Sequence, residues 1–120
     1  MAKILVVDDS LTEREIIKKA LEAEGYTVVL ANDGEAGLKA LDGEKFDCVL
    51  LDVVMPGKNG YQICREIKKN DFTKDIPVIL VTSKGQDSDK FWGKKQGADD
   101  YIVKPFQIEE LIQTVKRFVK

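Results

Sequence analysis

The chain has 120 residues, 43% hydrophobic and 33% charged, which suits one folded domain with a core of its own. A formal net charge of -2 lacks the basic excess that binding to nucleic acid or an anionic membrane calls for. Histidine is absent, so the usual general base and the commonest zinc ligand are both missing.

The first apolar run is Lys3–Val7, followed at once by Asp8 and Asp9. A helix is expected over Ser10–Glu24, opened by two overlapping capping boxes, Ser10 with Glu13 and Thr12 with Glu15. Its apolar stripe is Leu11, Ile16, Ile17, Ala20 and Leu21, and Gly25 is a good left-handed stop. The second run, Tyr26–Ala31, leads through the turn Asn32-Asp33-Gly34 into a short helix, Gly34–Leu41. The third run, Phe46–Leu51, ends at Asp52, and the turn chemistry of Met55-Pro56-Gly57-Lys58-Asn59-Gly60 follows. Next come a helix over Tyr61–Lys69 with Ile63, Cys64 and Ile67, the run Val78–Val81, and the hydroxyl pair Thr82-Ser83. A helix over Ser88–Gln96 carries Phe91 and Trp92 and stops at Gly97. The run Tyr101–Val103 then ends at Lys104-Pro105, and a last helix covers Gln107–Val119.

Strand and helix alternate five times, which predicts an α/β fold with a parallel sheet and helices on both faces. The first, third and fourth runs are almost continuously apolar, as strands are when both faces are covered. No linker or low-complexity segment interrupts the pattern, and residues 1–120 are expected to be one domain with no second, output domain. Cys48 and Cys64 show neither CxxC nor metal-ligand spacing and are expected to be small buried hydrophobes. No apolar run reaches transmembrane length and no leader pattern precedes the first strand, so a cytoplasmic location is expected.

In open α/β sheets the site lies at the carboxyl ends of the strands. There this sequence sets Asp8 and Asp9, Asn32 and Asp33, Asp52, Thr82 and Ser83, and Lys104. Three carboxylates held close, Asp8, Asp9 and Asp52, repel one another unless a cation balances them. All-oxygen ligands suit Mg²⁺, or Mn²⁺ in its place, better than zinc. Such a site attracts phosphate, with Lys104 and the Thr82 hydroxyl to take the remaining oxygens, and an Asp carboxylate is an accepted phosphoryl acceptor.

Four stretches together carry a resemblance. They are Ile4 to Ser10, Leu51 to Gly60, Val81 to Ser83 and Gly97 to Phe106, in order and at fitting spacing. On them the chain resembles the receiver domains of two-component response regulators, close to the single-domain chemotaxis type. The resemblance implies a flavodoxin-like doubly wound sheet of five parallel strands in the order 2-1-3-4-5. It implies Asp52 as phospho-acceptor, Asp8 and Asp9 as metal ligands with Asp52, and Val54 as the donor of a backbone carbonyl to the metal. It further implies Thr82 as the switch hydroxyl, Lys104 as the ammonium paired with the phosphoryl group, and a cis Lys104-Pro105 bond. Tyr101 is implied as the aromatic that turns inward when Thr82 moves, with the fourth helix, fifth strand and fifth helix as the output face. The partners implied are a histidine kinase or phosphotransfer protein and a downstream protein target, for a monomer that catalyses only its own phosphorylation and slow dephosphorylation. Phe91 to Ala98 also resembles regulators of type IV pilus twitching motility and phototaxis.

Other readings are open at this point. An FMN-binding protein of the same fold would need a phosphate cradle where Asp8 and Asp9 stand. A phosphatase with an Asp nucleophile would need a second Asp where Val54 stands. A receiver-shaped binding module that is never phosphorylated, or a phosphate sink or relay, is also compatible. Asp99-Asp100 reads as turn solvation, and Lys94-Lys95 and Lys116-Arg117 read as solvated helix faces. Trp92 reads equally as core or as partner surface, and Gly93 suggests close packing or a helix that moves.

Overall fold

The computed structural model describes residues 2–119. Ten elements alternate without exception: β1 (Lys3–Val7), α1 (Leu11–Ala23), β2 (Thr27–Ala31), α2 (Gly34–Gly43), β3 (Cys48–Leu51), α3 (Gly60–Lys69), β4 (Val78–Thr82), α4 (Asp87–Lys95), β5 (Asp100–Val103) and α5 (Ile108–Phe118). All strand pairs are parallel, in the order β2-β1-β3-β4-β5. The doubly wound flavodoxin-like fold is therefore the one expected. Tyr26 and Phe46, read as strand, lie just outside β2 and β3, and Thr82 closes β4.

Strand side chains alternate between faces, and this splits the interior into two layers. Leu5, Val7, Val49, Leu51 and Leu80 pack with Leu41, Tyr61, Ile63, Cys64 and Ile67 on the side of α2 and α3. Ile4, Val6, Cys48, Leu50, Ile79, Val81 and Ile102 pack with Ile17, Leu21, Leu111 and Val115 on the side of α1 and α5. Both faces of the central strands are thus covered, which is why β1, β3 and β4 read as unbroken apolar runs. Both thiols are buried, as expected.

The reading of α1 needs two corrections. Leu11 and Ile16 are 64% and 46% exposed, and of the expected stripe only Ile17 and Leu21 are fully buried. A helix lying on a sheet buries one narrow stripe, and Leu11 stands at its open N-terminal end. Of the two capping boxes only half of one forms. Ser10 Oγ accepts from Glu13 N at 3.3 Å, while the Ser10 N–H donates to Asp8 Oδ1 at 2.9 Å instead of to Glu13. Thr12 is already inside the helix. Gly25 and Gly97, at φ +92° and +98°, are the left-handed stops predicted for α1 and α4.

The acidic pair Asp99-Asp100 is more than turn solvation. Asp99 Oδ2 accepts from Lys68 Nζ and from the Val78 N–H, both at 2.8 Å, so it ties α3 to the start of β4. Asp100 Oδ2 pairs with Arg117 at 2.7 Å, and Lys116 pairs with Glu24 at 2.8 Å, so Lys116-Arg117 is engaged as well as solvated.

Candidate functional site

The carboxyl edge of the sheet is held in place by backbone bonds that continue past the strands. Asp8 N donates to Ala31 O at 3.1 Å, Asp52 N to Val7 O at 2.9 Å, and Lys104 N to Thr82 O at 2.9 Å. Each residue at the edge is therefore anchored by the strand beside it, and Asp8, Asp52, Thr82 and Lys104 converge without depending on loop conformation.

Asp8 and Asp52 are buried and Asp9 is exposed, and one carboxylate oxygen from each lies within 4.8 Å of the others. Lys104 Nζ sits 2.8 Å from Asp8 Oδ2 and 3.2 Å from Asp52 Oδ2. Burial works against the Lys104 charge, but the hydrogen bond from Asp8 and the charges of Asp52 and Asp8 outweigh it, and the ammonium pKa is raised. The other Asp52 oxygen, Oδ1, accepts from the N–H groups of Val53 at 2.7 Å and Val54 at 3.3 Å. Those two amides fix the orientation of the carboxylate.

Three carboxylates against one ammonium leave two negative charges at the mouth of the site. Asp9 has no ion-pair partner among the described residues. An all-oxygen set with a deficit of two charges and one member open to water fits a hard divalent cation, Mg²⁺ or Mn²⁺. Asp8, Asp9 and Asp52 are the side chains that would hold it, and Val54, 53% exposed, stands directly beside them.

Thr82 is fully buried at the end of β4, and its Oγ1 lies 3.4 Å from the Lys84 amide. Tyr101 is not part of the carboxylate cluster. Its hydroxyl donates to Lys84 O at 2.6 Å, directly past Thr82. Asp33 stays out of the cluster too, capping α2 through a 2.8 Å bond from Ala36 N. The Lys104-Pro105 bond is cis, as the resemblance implied. Trp92 is 50% exposed on α4 beside the exposed Phe91, so these two aromatics are surface and not core. Gly93 is explained by close packing: a Cβ there would lie 2.9 Å from Leu80 Cδ1 and 3.1 Å from the Tyr101 ring.

Two contacts lay beyond sequence reasoning. Arg14 Nη1 donates to the Asp8 carbonyl at 2.6 Å, and Tyr61 OH lies 3.3 Å from Tyr101 OH. Arg14 follows Asp8 by six residues and would yield to a search of the first helical turn for a cation facing the site. Nothing local marks Tyr61, which meets a ring forty residues further on.

Comparison with known proteins agrees with this geometry. Residues 4–116 match the family model described as response regulator receiver domain. Protein PilH of Pseudomonas aeruginosa is 49% identical over 115 residues, which cover 96% of this chain and 95% of that protein. Response regulator ArlR of Staphylococcus saprophyticus is 42% identical over 120 residues, and there the chain spans only 53% of the relative's length. Among solved structures, chemotaxis protein CheY4 of Vibrio cholerae superposes with a TM-score of 0.94 at 34% identity, covering 99% of each chain. Response regulator TrrA of Thermotoga maritima, solved in complex with Mg²⁺-BeF, gives a TM-score of 0.89 at 39% identity over 99% of this chain and all of that one. The match over nearly the whole length, with an acidic cluster, a hydroxyl and a lysine meeting at one sheet edge, makes this chain a member of the response regulator receiver domain family, of the CheY-like type.

Proposed function

We propose that this receiver accepts a phosphoryl group on Asp52 in a Mg²⁺-dependent reaction and signals the change to a protein partner through α4, β5 and α5. The observation that carries the reading is the convergence of Asp8, Asp9 and Asp52 with Lys104 seated between two of them. A carboxylate oxygen of Asp52 attacks the phosphorus of a phosphohistidine or a small acyl phosphate. The P–N or P–O bond to the donor breaks, and imidazole or carboxylate leaves. The two amides on Asp52 Oδ1 orient the nucleophile, and the Lys104 ammonium is released from Asp52 to the incoming oxygens. Bound Mg²⁺ supplies positive charge against the phosphoryl oxygens. Once the group is in place, the Thr82 hydroxyl at the end of β4 turns to donate to it.

The chain acts on no other substrate in this reading, because no second carboxylate stands at Val54 to drive turnover. Its donor is a histidine kinase or phosphotransfer protein. The likeness to PilH and CheY4 supports a place in pilus or taxis signalling, as a monomer in the cytoplasm.

The test is intact mass after incubation with acetyl phosphate and Mg²⁺, beside Asp52→Ala and EDTA controls. One phosphoryl addition that requires both Asp52 and metal is expected. No addition under conditions that label another receiver would replace this reading with a binding module that works unphosphorylated. Addition that persists in Asp52→Ala would move the acceptor elsewhere.

A further inference from the structure

Behind the carboxylate cluster, two phenols share two protons among three contacts. Tyr61, on α3 and nearly buried, donates to the carbonyl of Asp89 in the first turn of α4 at 3.0 Å. Tyr101, on β5, donates to the carbonyl of Lys84 at 2.6 Å. The two phenol oxygens are 3.3 Å apart. A phenol has one proton to give. With both protons committed to carbonyls, none is left between the oxygens. A bond between the two hydroxyls forms only if one carbonyl is released. The positions of Tyr61, Tyr101, the Lys84 carbonyl and the first turn of α4 are therefore tied together.

We propose that Tyr61 is a positioning residue of the switch, coupling the seat of the Tyr101 hydroxyl to the first turn of α4. The inference rests on the receiver reading above and names a residue that reading does not use. While Tyr101 is seated on Lys84, Tyr61 keeps its proton on Asp89 and holds the start of α4 against α3. When Tyr101 leaves, the phenol oxygen 3.3 Å from Tyr61 goes with it, and the Tyr61 hydroxyl is free to turn from the Asp89 carbonyl. Burial, and then the contact with Tyr61, push the Tyr101 phenol pKa up, so its proton stays available throughout the neutral range. The packing leaves Tyr101 little room on its other side, where Gly93 presses on the ring. The Gln86 N–H donates to Asp89 Oδ2 at 3.1 Å and closes the first turn of α4 on itself, while the Tyr61 hydroxyl on the Asp89 carbonyl ties that turn to α3.

The test is hydrogen–deuterium exchange on the full chain as wild type, Tyr61→Phe, Tyr101→Phe and the double variant, with and without acetyl phosphate and Mg²⁺. Phenylalanine keeps the ring and removes only the hydroxyl. Loss of one ordinary hydrogen bond is expected to speed exchange across residues 84–93 about fivefold in Tyr61→Phe. Amides of β1 and α5 serve as the control and stay at wild-type rates. In the double variant the two accelerations combine to less than their product, the signature of coupled groups. Tyr61→Phe still gains the phosphoryl mass, while the exchange change that phosphorylation causes in residues 84–93 shrinks.

Unchanged exchange in Tyr61→Phe, or accelerations that multiply independently, overturns the proposal. Acceleration spread over β1 and α5 would reduce Tyr61 to a general stabiliser and overturn it too. A wild type that takes no phosphoryl group would defeat the receiver reading alone. The coupling in the untreated protein is read all the same.

Discussion

Lys104 is the residue on which the resting site depends. Among the described residues its ammonium is the one cation paired with both Asp8 and Asp52, so it stabilises a cluster that would otherwise repel itself. Lys104→Ala leaves those carboxylates uncompensated and is expected to cost about 2 kcal/mol in metal-free protein. The same variant should gain more from Mg²⁺ than wild type does, because the cation then meets three unpaired charges. Thermal melts of both proteins with and without Mg²⁺ check this; a variant whose melting temperature matches wild type in EDTA would remove Lys104 from the balance. The two thiols make a second prediction at this scale. Burial pushes both Cys48 and Cys64 up to about 12. Thiolate, the reactive form, is therefore scarce in the native state at pH 8. Iodoacetamide should leave both unmodified until denaturant is added, as mass spectrometry would show. The residue scale is also where reading the sequence succeeded best for the site. Asp8, Asp52 and Lys104 each follow directly on a strand, Asp9 comes one residue later and Thr82 closes β4, and strand ends were legible from the apolar runs. Tyr61 was not, because its role depends on a hydroxyl direction that no local pattern encodes; Arg14, in the first turn of α1, carried a local signal that went unread.

At the scale of elements, the loop from Asp52 into α3 is shaped by the absence of a side chain. Gly60 starts α3 so close to β3 that an added Cβ would collide with the Asp52 carbonyl and lie 2.7 Å from Val53 Cα. Both obstacles are backbone and cannot swing aside. Gly60→Ala should therefore displace Asp52, destabilise the fold by about 1–3 kcal/mol, and slow labelling by acetyl phosphate. A variant with wild-type labelling rate and wild-type melting would show that α3 can shift without cost. All five helices were legible from periodicity and stops, with Gly25 and Gly97 marking two ends. The misplaced features were the outer positions of α1 and the cap pairings. Leu11 and Ile16 have helical spacing, but spacing does not say how wide a stripe the neighbouring sheet will cover. Ser10 offered a reciprocal box with Glu13, and the nearer acceptor Asp8 took its N–H. Such competition between a local and a tertiary partner is decided only in three dimensions.

For the whole molecule, the acidic edge predicts a linkage between folding and metal. Ligand that binds the folded chain alone raises stability by RT ln(1 + [L]/Kd), about 2.7 kcal/mol at a hundredfold excess over Kd. That corresponds to a rise in melting temperature of roughly 10 °C for a domain of this size. Asp52→Asn should melt higher than wild type in EDTA and gain less from Mg²⁺; a wild type unmoved by saturating Mg²⁺ would argue against the cluster as a metal centre. Alkali acts in the opposite sense. Cys48, Cys64 and Lys104 all hold their protons more tightly when folded. The thiols' contribution is complete below their ordinary value near 9 and is lost as the pH climbs toward about 12, and that of Lys104 is lost above the ordinary lysine value. Stability should fall steadily across that window, which pH-resolved denaturation would follow. The global architecture was the most legible part of all, because alternating strands and helices permit few topologies and right-handed crossovers fewer still.

The sheet that divides the interior also divides heredity. Thr82 shares the side of Leu80, and Tyr101 packs there too, so this hydroxyl and this phenol both belong to the layer beneath α2 and α3. The layer beneath α1 and α5 holds neither of them. Mutations that exchange one aliphatic residue for another in that second layer alter how firmly the domain holds together while leaving the hydroxyl and phenol positions untouched. Over generations the two layers can drift at different tempos, because only one of them packs against that hydroxyl and that phenol.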